Sequence, residues 1–255
     1  MMLTWQNTAW EYKAHPPQIA ILPLACLEPH GSHLPIGTDR IIIGEIARRV
    51  AERLDAPTML LPTWSLGTSG HHAGKVGAIY LKFETLWAVV RDVATSLREH
   101  GVHQVAVINN HGSAMTGATR PIGNFIVKTA VRQLNYETPG LTAIWVQPFA
   151  AGRAELAELF PSARSEVHAG AVETSLLLHL ARDLVGTVPA DHVPLFTPNY
   201  LDFAPFDKIA PSGIWGKPGE ASAEKGARAL DLIVQATAGY IETTFRQLRE
   251  IKQRG

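Results

Sequence analysis

The chain has 255 residues, and its 23 Lys and Arg are balanced by 23 Asp and Glu, so the formal net charge is zero. Apolar residues make up 46% and charged residues 18%, a folded globular balance that excludes a disordered chain. A neutral chain whose basic clusters are interleaved with acids also excludes a nucleic-acid groove as its main business, because phosphate binding needs a clustered positive excess. The longest apolar run, Ile19 to Leu27, is broken by Pro23 and is far shorter than the roughly 20 residues that span a bilayer, so no membrane partner is expected. The first residues, MMLTWQNTAWEY, lack a basic-then-apolar leader, and a cytoplasmic location follows as the expectation. The lone Cys26 excludes an internal disulfide and a cysteine-based zinc site. Its place at the end of an apolar run reads as a small buried core residue rather than a nucleophile.

Short apolar runs alternate with amphipathic stretches along the chain. Ile19–Cys26, Thr58–Trp64, Gln104–Asn109 and Thr142–Gln147 are continuous apolar runs, the pattern of strands buried on both faces. Helices are expected over Asp39–Leu54, Phe83–His100 and Met115–Leu134, from Ala171 onward, and over Ser222 to Ile251, where apolar residues recur at 3–4 residue spacing. Strand–helix alternation predicts a mostly parallel central sheet covered on both faces, a three-layer α/β/α architecture. No repeat or low-complexity linker divides it, so residues 1–255 read as a single domain. The irregular stretch is Pro189–Pro218, with six of the 17 prolines and Phe196, Tyr200, Phe203, Phe206 and Trp215. Such a loop reads as a lid, a binding loop or a subunit contact.

Ligands of open parallel sheets sit beyond the carboxyl ends of the strands. After the first run comes Glu28-Pro29-His30-Gly31-Ser32-His33, then Gly37-Thr38-Asp39; after the third comes Asn110-His111-Gly112-Ser113. Glu28 and His30 are two apart and point the same way in an extended segment. Each residue alone is explained as a loop polar, a helix cap or a core histidine. Four carboxylates and imidazoles at two strand ends of one sheet point instead to divalent cations, zinc, manganese or iron. A third segment, Glu166-Val167-His168-Ala169-Gly170-Ala171-Val172-Glu173, enters a helix. His168 there suits a general acid/base. Glu173 suits a metal ligand or a water-orienting catalytic carboxylate, or merely a carboxylate favoured by the helix dipole.

These segments, with His168-Ala169-Gly170-Ala171-Val172-Glu173-Thr174-Ser175 and Gly213-Ile214-Trp215-Gly216-Lys217-Pro218, resemble the successive signatures of the creatininase (creatinine amidohydrolase) family. The resemblance runs in order from residue 28 to 226. It implies a mostly parallel α/β domain, assembly as a homohexamer and two divalent metal ions, commonly zinc or manganese and sometimes iron. The implied activity is hydrolysis of a non-peptide C–N bond in a small-molecule substrate, such as a cyclic amide or a formamide. One branch of the family instead trims a short precursor peptide, and an inactive binding relative is the third possibility.

By the same resemblance Glu28 matches a ligand of one ion, His30 a ligand of the other, Asp39 the bridging carboxylate and His111 the second-strand ligand. His168 matches the proton-shuttling histidine, and Ser69 a serine near the substrate. Trp215 is the aromatic expected to stack on the substrate. Two departures stand against creatinine itself as that substrate. Creatininase has a Tyr-Glu pair after the second-strand histidine, where this chain has Gly112-Ser113. It also has a Trp-Asp pair before the shuttle histidine, where this chain has Arg164-Ser165. With that Glu missing, Glu173 is expected to complete the second ion.

Overall fold

A computed structural model describes residues 1–109, 111 and 122–254. Among them five strands form one all-parallel sheet: β1 (Met2–Thr4), β2 (Ile19–Leu24), β3 (Thr58–Leu60), β4 (Gln104–Asn109) and β5 (Thr142–Val146), in the order β1-β3-β2-β4-β5. β2 pairs with β3 on one side, Ile19 opposite Thr58, and with β4 on the other, Ile19 opposite Gln104. All six residues of β2 are buried, as a central strand covered on both faces requires.

Side-chain alternation along these strands sorts the core into two layers. Ile19, Ile21, Ala106, Ile108, Ile144 and Val146 face one side. They are covered by α2 (Thr38–Arg53), α7 (Ala171–Leu180) and α9 (Ala223–Gln253). Ala20, Leu22, Leu24, Val105, Val107 and Ala143 face the other side, against α3 (Phe83–Glu99) and α4 (Ile122–Glu137). Each fully buried Leu, Ile or Val contributes roughly 1.5–3 kcal/mol. The three-layer α/β/α arrangement expected from the sequence is therefore the one observed.

The sequence runs overshoot the strands at their ends. Thr58–Trp64 stops as a strand at Leu60, just before Pro62, and Ile19–Cys26 stops at Leu24. Residues 115–121 of the expected helix Met115–Leu134 lie outside the described residues, and the rest falls within α4 (Ile122–Glu137). β1 and the short helix α1 (Ala9–Ala14) had not been expected. Four more helical pieces, α5 (Pro148–Ala151), α6 (Arg153–Leu159), α8 (Phe206–Ile209) and a 3₁₀ turn at Gly70–His72, fill the connections that matter below.

Two features of this topology position the site. The connections from β2 and β4 leave toward opposite edges of the sheet, so a crevice opens at their carboxyl ends. α7 and α9 then pack so closely that a Cβ on Gly226 would strike the Ser175 carbonyl oxygen. That contact fixes the helix bearing Glu173 beneath the crevice.

Candidate metal centre

Glu28 and His30 follow β2, Asp39 sits in the first turn of α2, and His111 follows β4 by two residues. All four are buried. Their donor atoms converge. His111 Nδ1 lies 3.4 Å from Glu28 Oε1 and 3.4 Å from Asp39 Oδ2. His30 Nε2 lies 3.6 Å from Asp39 Oδ1 and 4.0 Å from Glu173 Oε2. The two oxygens of Asp39 thus face two different histidines, and two donor groups result. Glu28, Asp39 and His111, with Cys26, form one; His30, Asp39 and Glu173 form the other; donor atoms within each lie within 4.8 Å of one another.

Neighbouring backbone fixes the ring tautomers. His30 Nδ1–H donates to the carbonyl of Glu28 at 3.0 Å, which turns Nε2 toward Asp39 and Glu173. His168 Nε2–H donates to the carbonyl of Pro29 at 2.8 Å, which leaves the Nδ1 lone pair 3.7 Å from Glu28 Oε1. The two rings lie 4.1 Å apart, centre to centre. His168 is held by a backbone pairing in which Trp215 N donates to His168 O at 2.9 Å. The next residue, Ala169, is the one described non-glycine residue with positive φ, at 52°. Left-handed alanine costs energy that a surrounding structure must offset, and such strain concentrates at functional sites. Glu173 accepts the Ala169 N–H at 2.7 Å and so closes the turn that aims both side chains.

The electrostatics are those of opposed charges without water. Burial pushes the Glu28 carboxyl up, yet the His111 imidazolium beside it holds it well below the usual carboxylate range. Asp39 is raised by burial but brought down to about 2 by the His111 and His30 imidazoles that face it. Burial works against a charge on His30 and His111. On His30 the Asp39 carboxylate outweighs it and raises the imidazole to about 9. On His111 the neighbouring Cys26, Glu28 and Asp39 together outweigh it and raise the imidazole well above normal. Glu173, largely shielded from solvent and near the Asp39 carboxylate, is pushed up to about 7 despite the opposing pull of His30. His168 is driven well below the imidazole range by burial and by the charge of His30, so it is neutral.

The donor set fits divalent cations. Glu28 Oε2, His30 Nε2, Asp39 Oδ2 and His111 Nε2 are buried without a hydrogen-bond partner, a cost that buried polar groups rarely carry unpaired. A cation supplies the missing partner for atoms of this kind.

The remaining site residues fall into place unequally. Ser69 is fully buried just before the 3₁₀ turn, with an unpaired Oγ. His71 and His72, which were not among the site residues expected from the sequence, join the cluster: His72 Nε2 is 3.8 Å from Glu28 Oε1, and the His71 ring stacks on His111 at 5.4 Å. Their signal was there in a His-His pair between Gly70 and Gly74, in the segment after β3. His33 bonds Thr174 Oγ1 at 2.9 Å and stands outside both donor groups. Trp215 departs from expectation. Its side chain is 2% exposed and packed with Phe206, Ile209 and Ala210, so no face of the indole is open to stack on a substrate. Phe206 takes the forward position, 4.9 Å from both the His72 and the His168 rings. Gly112 and Ser113, which replace the expected Tyr-Glu pair, lie outside the described residues.

Fold and site together define a doubly wound α/β protein with paired carboxylate–imidazole donor groups at its topological switch point. The chain belongs to the creatininase family, whose model, described as creatinine amidohydrolase, matches residues 2–241. It is 29% identical to a creatinine amidohydrolase of Pseudomonas putida, over 95% of each chain. It is 30% identical to a mycofactocin precursor peptide peptidase of Mycobacterium ulcerans, over 82% of this chain and 78% of the other. A solved Zn-Zn-type mutant creatininase superimposes with a TM-score of 0.77 at 25% identity, over 96% of this chain and 99% of that one. The chain is thus a creatininase-family hydrolase.

Proposed function

We propose that this protein is a dinuclear metal-dependent amidohydrolase that cleaves a C–N bond in a small molecule such as a cyclic amide or a formamide. The observation that carries the reading is the sharing of Asp39 between two donor groups. Glu28, Asp39 and His111 would hold one ion, and His30, Asp39 and Glu173 the other; zinc and manganese both suit these donors. When bound, such ions supply a water of lowered pKa and a Lewis acid for the carbonyl oxygen.

The protein's own groups supply the rest. His168, neutral and with its Nδ1 lone pair turned into the site, accepts a proton there and returns it to the leaving nitrogen. The Pro29 carbonyl keeps that ring from turning over. Phe206 walls off the His72–His168 side and excludes water from it. Ser69 offers its unpaired hydroxyl to a substrate polar group. Burial of Glu28, His30, His111 and His168 favours a small substrate over an extended peptide. Exposed Leu195, Phe196 and Phe203 on the Pro-rich segment support self-association, as a hexamer.

The test is hydrolysis by the zinc- or manganese-reconstituted protein of a panel of cyclic ureides, formamides and short peptides. Turnover of a small amide, abolished by Asp39→Ala, is the expected result. Cleavage of peptides alone would replace this reading with a peptidase, and no turnover with either metal would leave a binding protein.

A further inference from the structure

Cys26 follows β2, two residues before Glu28, and is fully buried. A thiol that merely fills space faces apolar side chains. This one faces two carboxylates and an imidazole: its Sγ, an oxygen of Glu28, an oxygen of Asp39 and a ring nitrogen of His111 all lie within 4.8 Å of one another. The chain also keeps room for the sulfur. A Cβ on Gly67 would strike Sγ and stand 2.9 Å from the Ala25 carbonyl oxygen, so only a glycine admits the thiol at this depth. Glu28 Oε2, Asp39 Oδ2 and His111 Nε2, in the same cluster, are buried without partners.

We propose that the Cys26 thiol is a fourth donor to the ion held by Glu28, Asp39 and His111. This rests on the dinuclear reading above, and it revises the sequence-based expectation that a lone cysteine plays no part in a metal site. Binding breaks the S–H bond, forms a metal–sulfur bond and releases the proton to solvent. Sulfur is a soft donor that favours zinc over manganese, whereas the His30–Asp39–Glu173 group offers only nitrogen and oxygen. The two positions therefore differ in kind: the first selects zinc, and the second accepts manganese.

Cobalt(II) titration of the metal-stripped protein tests this without any substrate. Visible d–d bands report cobalt uptake, and a near-ultraviolet sulfur-to-cobalt charge-transfer band reports the thiolate. Both are expected in the natural protein, and Cys26→Ser should lose only the second. In competition binding, that substitution should also narrow the preference for zinc over manganese at one position by ~10–100-fold, the scale on which supporting groups tune metal affinity. Cobalt uptake by the natural protein with no charge-transfer band overturns the proposal and leaves the dinuclear site standing. Absence of any cobalt uptake overturns both. Because the natural protein's spectrum decides by itself, a Cys26→Ser chain that fails to fold does not spare the proposal.

Discussion

His168 and Pro29, 139 residues apart, are joined by a hydrogen bond of 2.8 Å from the imidazole Nε2–H to the proline carbonyl. The bond ties the loop after β2 to the turn before α7, and it sets the tautomer of the only histidine placed here in proton transfer.

From this follows the expectation for His168→Ala. Metal content should be unchanged if both ions rest on Asp39, because His168 shares a donor cluster only with Glu28 and His30 and not with Asp39. Turnover of the true substrate should fall by ~10²–10⁴-fold, the usual worth of general acid/base help. Steady-state kinetics beside elemental analysis of one preparation checks both, and unaltered turnover would remove His168 from the mechanism.

Substitution of the shared carboxylate should be more damaging to metal binding than that of either unshared one. Asp39→Ala should lose most of both ions, whereas Glu173→Gln should lose one and keep the other. Elemental analysis after dialysis distinguishes them. If the Gln variant keeps two ions per chain, Glu173 acts only through its bond to the Ala169 N–H.

Zinc should also stabilise the fold by mass action. At free metal 100 times Kd the gain is about 2.7 kcal/mol, read as a rise in Tm that grows with concentration. The same titration on Asp39→Ala should leave Tm flat. A rise of equal size in that variant would place the bound zinc elsewhere.

Away from the site, Glu45 on α2 accepts from Arg48 at 2.8 Å and from Arg49 at 2.7 Å. Those hydrogen bonds, Arg48 foremost, bring its carboxyl from 4.5 down to about 2. A depressed folded pKa means the stabilisation is whole above pH 4.5 and fades as pH falls toward 2. Because the pair is solvent-screened, Glu45→Gln should cost only about 0.5–1 kcal/mol at pH 7. Chemical denaturation at pH 7 and pH 3 should show that cost shrinking in acid.

A packing prediction concerns Gly226. Its hydrogen stands against the Ser175 carbonyl and the His179 Cβ, with α7 and α9 in near-contact. Gly226→Ala should destabilise by about 1–3 kcal/mol, despite alanine's better helix propensity. Because α7 carries Glu173, metal affinity should weaken in the same variant. A neutral Tm would mean that the helices separate freely.

The parts of this fold legible in sequence were those whose pattern is set locally. β2 and β4 read as apolar runs because parallel central strands are buried on both faces, and β5, at the edge, read as one because most of its residues still face the two helical layers. β1 did not, since three residues at a sheet edge make no pattern. α1 buries no residue, so it shows no apolar stripe, yet Thr8 and Glu11 form a capping box that the spacing Thr-x-x-Glu announces. At the site, Glu28, His30, Asp39 and His111 were legible because strand ends of such sheets converge. Trp215 is a different case. An aromatic in a Pro-rich segment is equally consistent with facing a ligand and facing the core, and only the packing of α8 decides that Phe206 is forward and Trp215 behind.

The order of the donors along the chain has a consequence for how the protein is made. Cys26, Glu28, Asp39 and His111 all precede the middle of the polypeptide, whereas the second group waits for Glu173, 62 residues after His111. At ~5–20 residues per second, a ribosome needs ~3–12 s to cover that interval. For those seconds the nascent chain contains every donor of one group and an incomplete set for the other. Because a metal site rarely exists before its chain folds, the order of synthesis gives the first group the earlier chance to fold and bind.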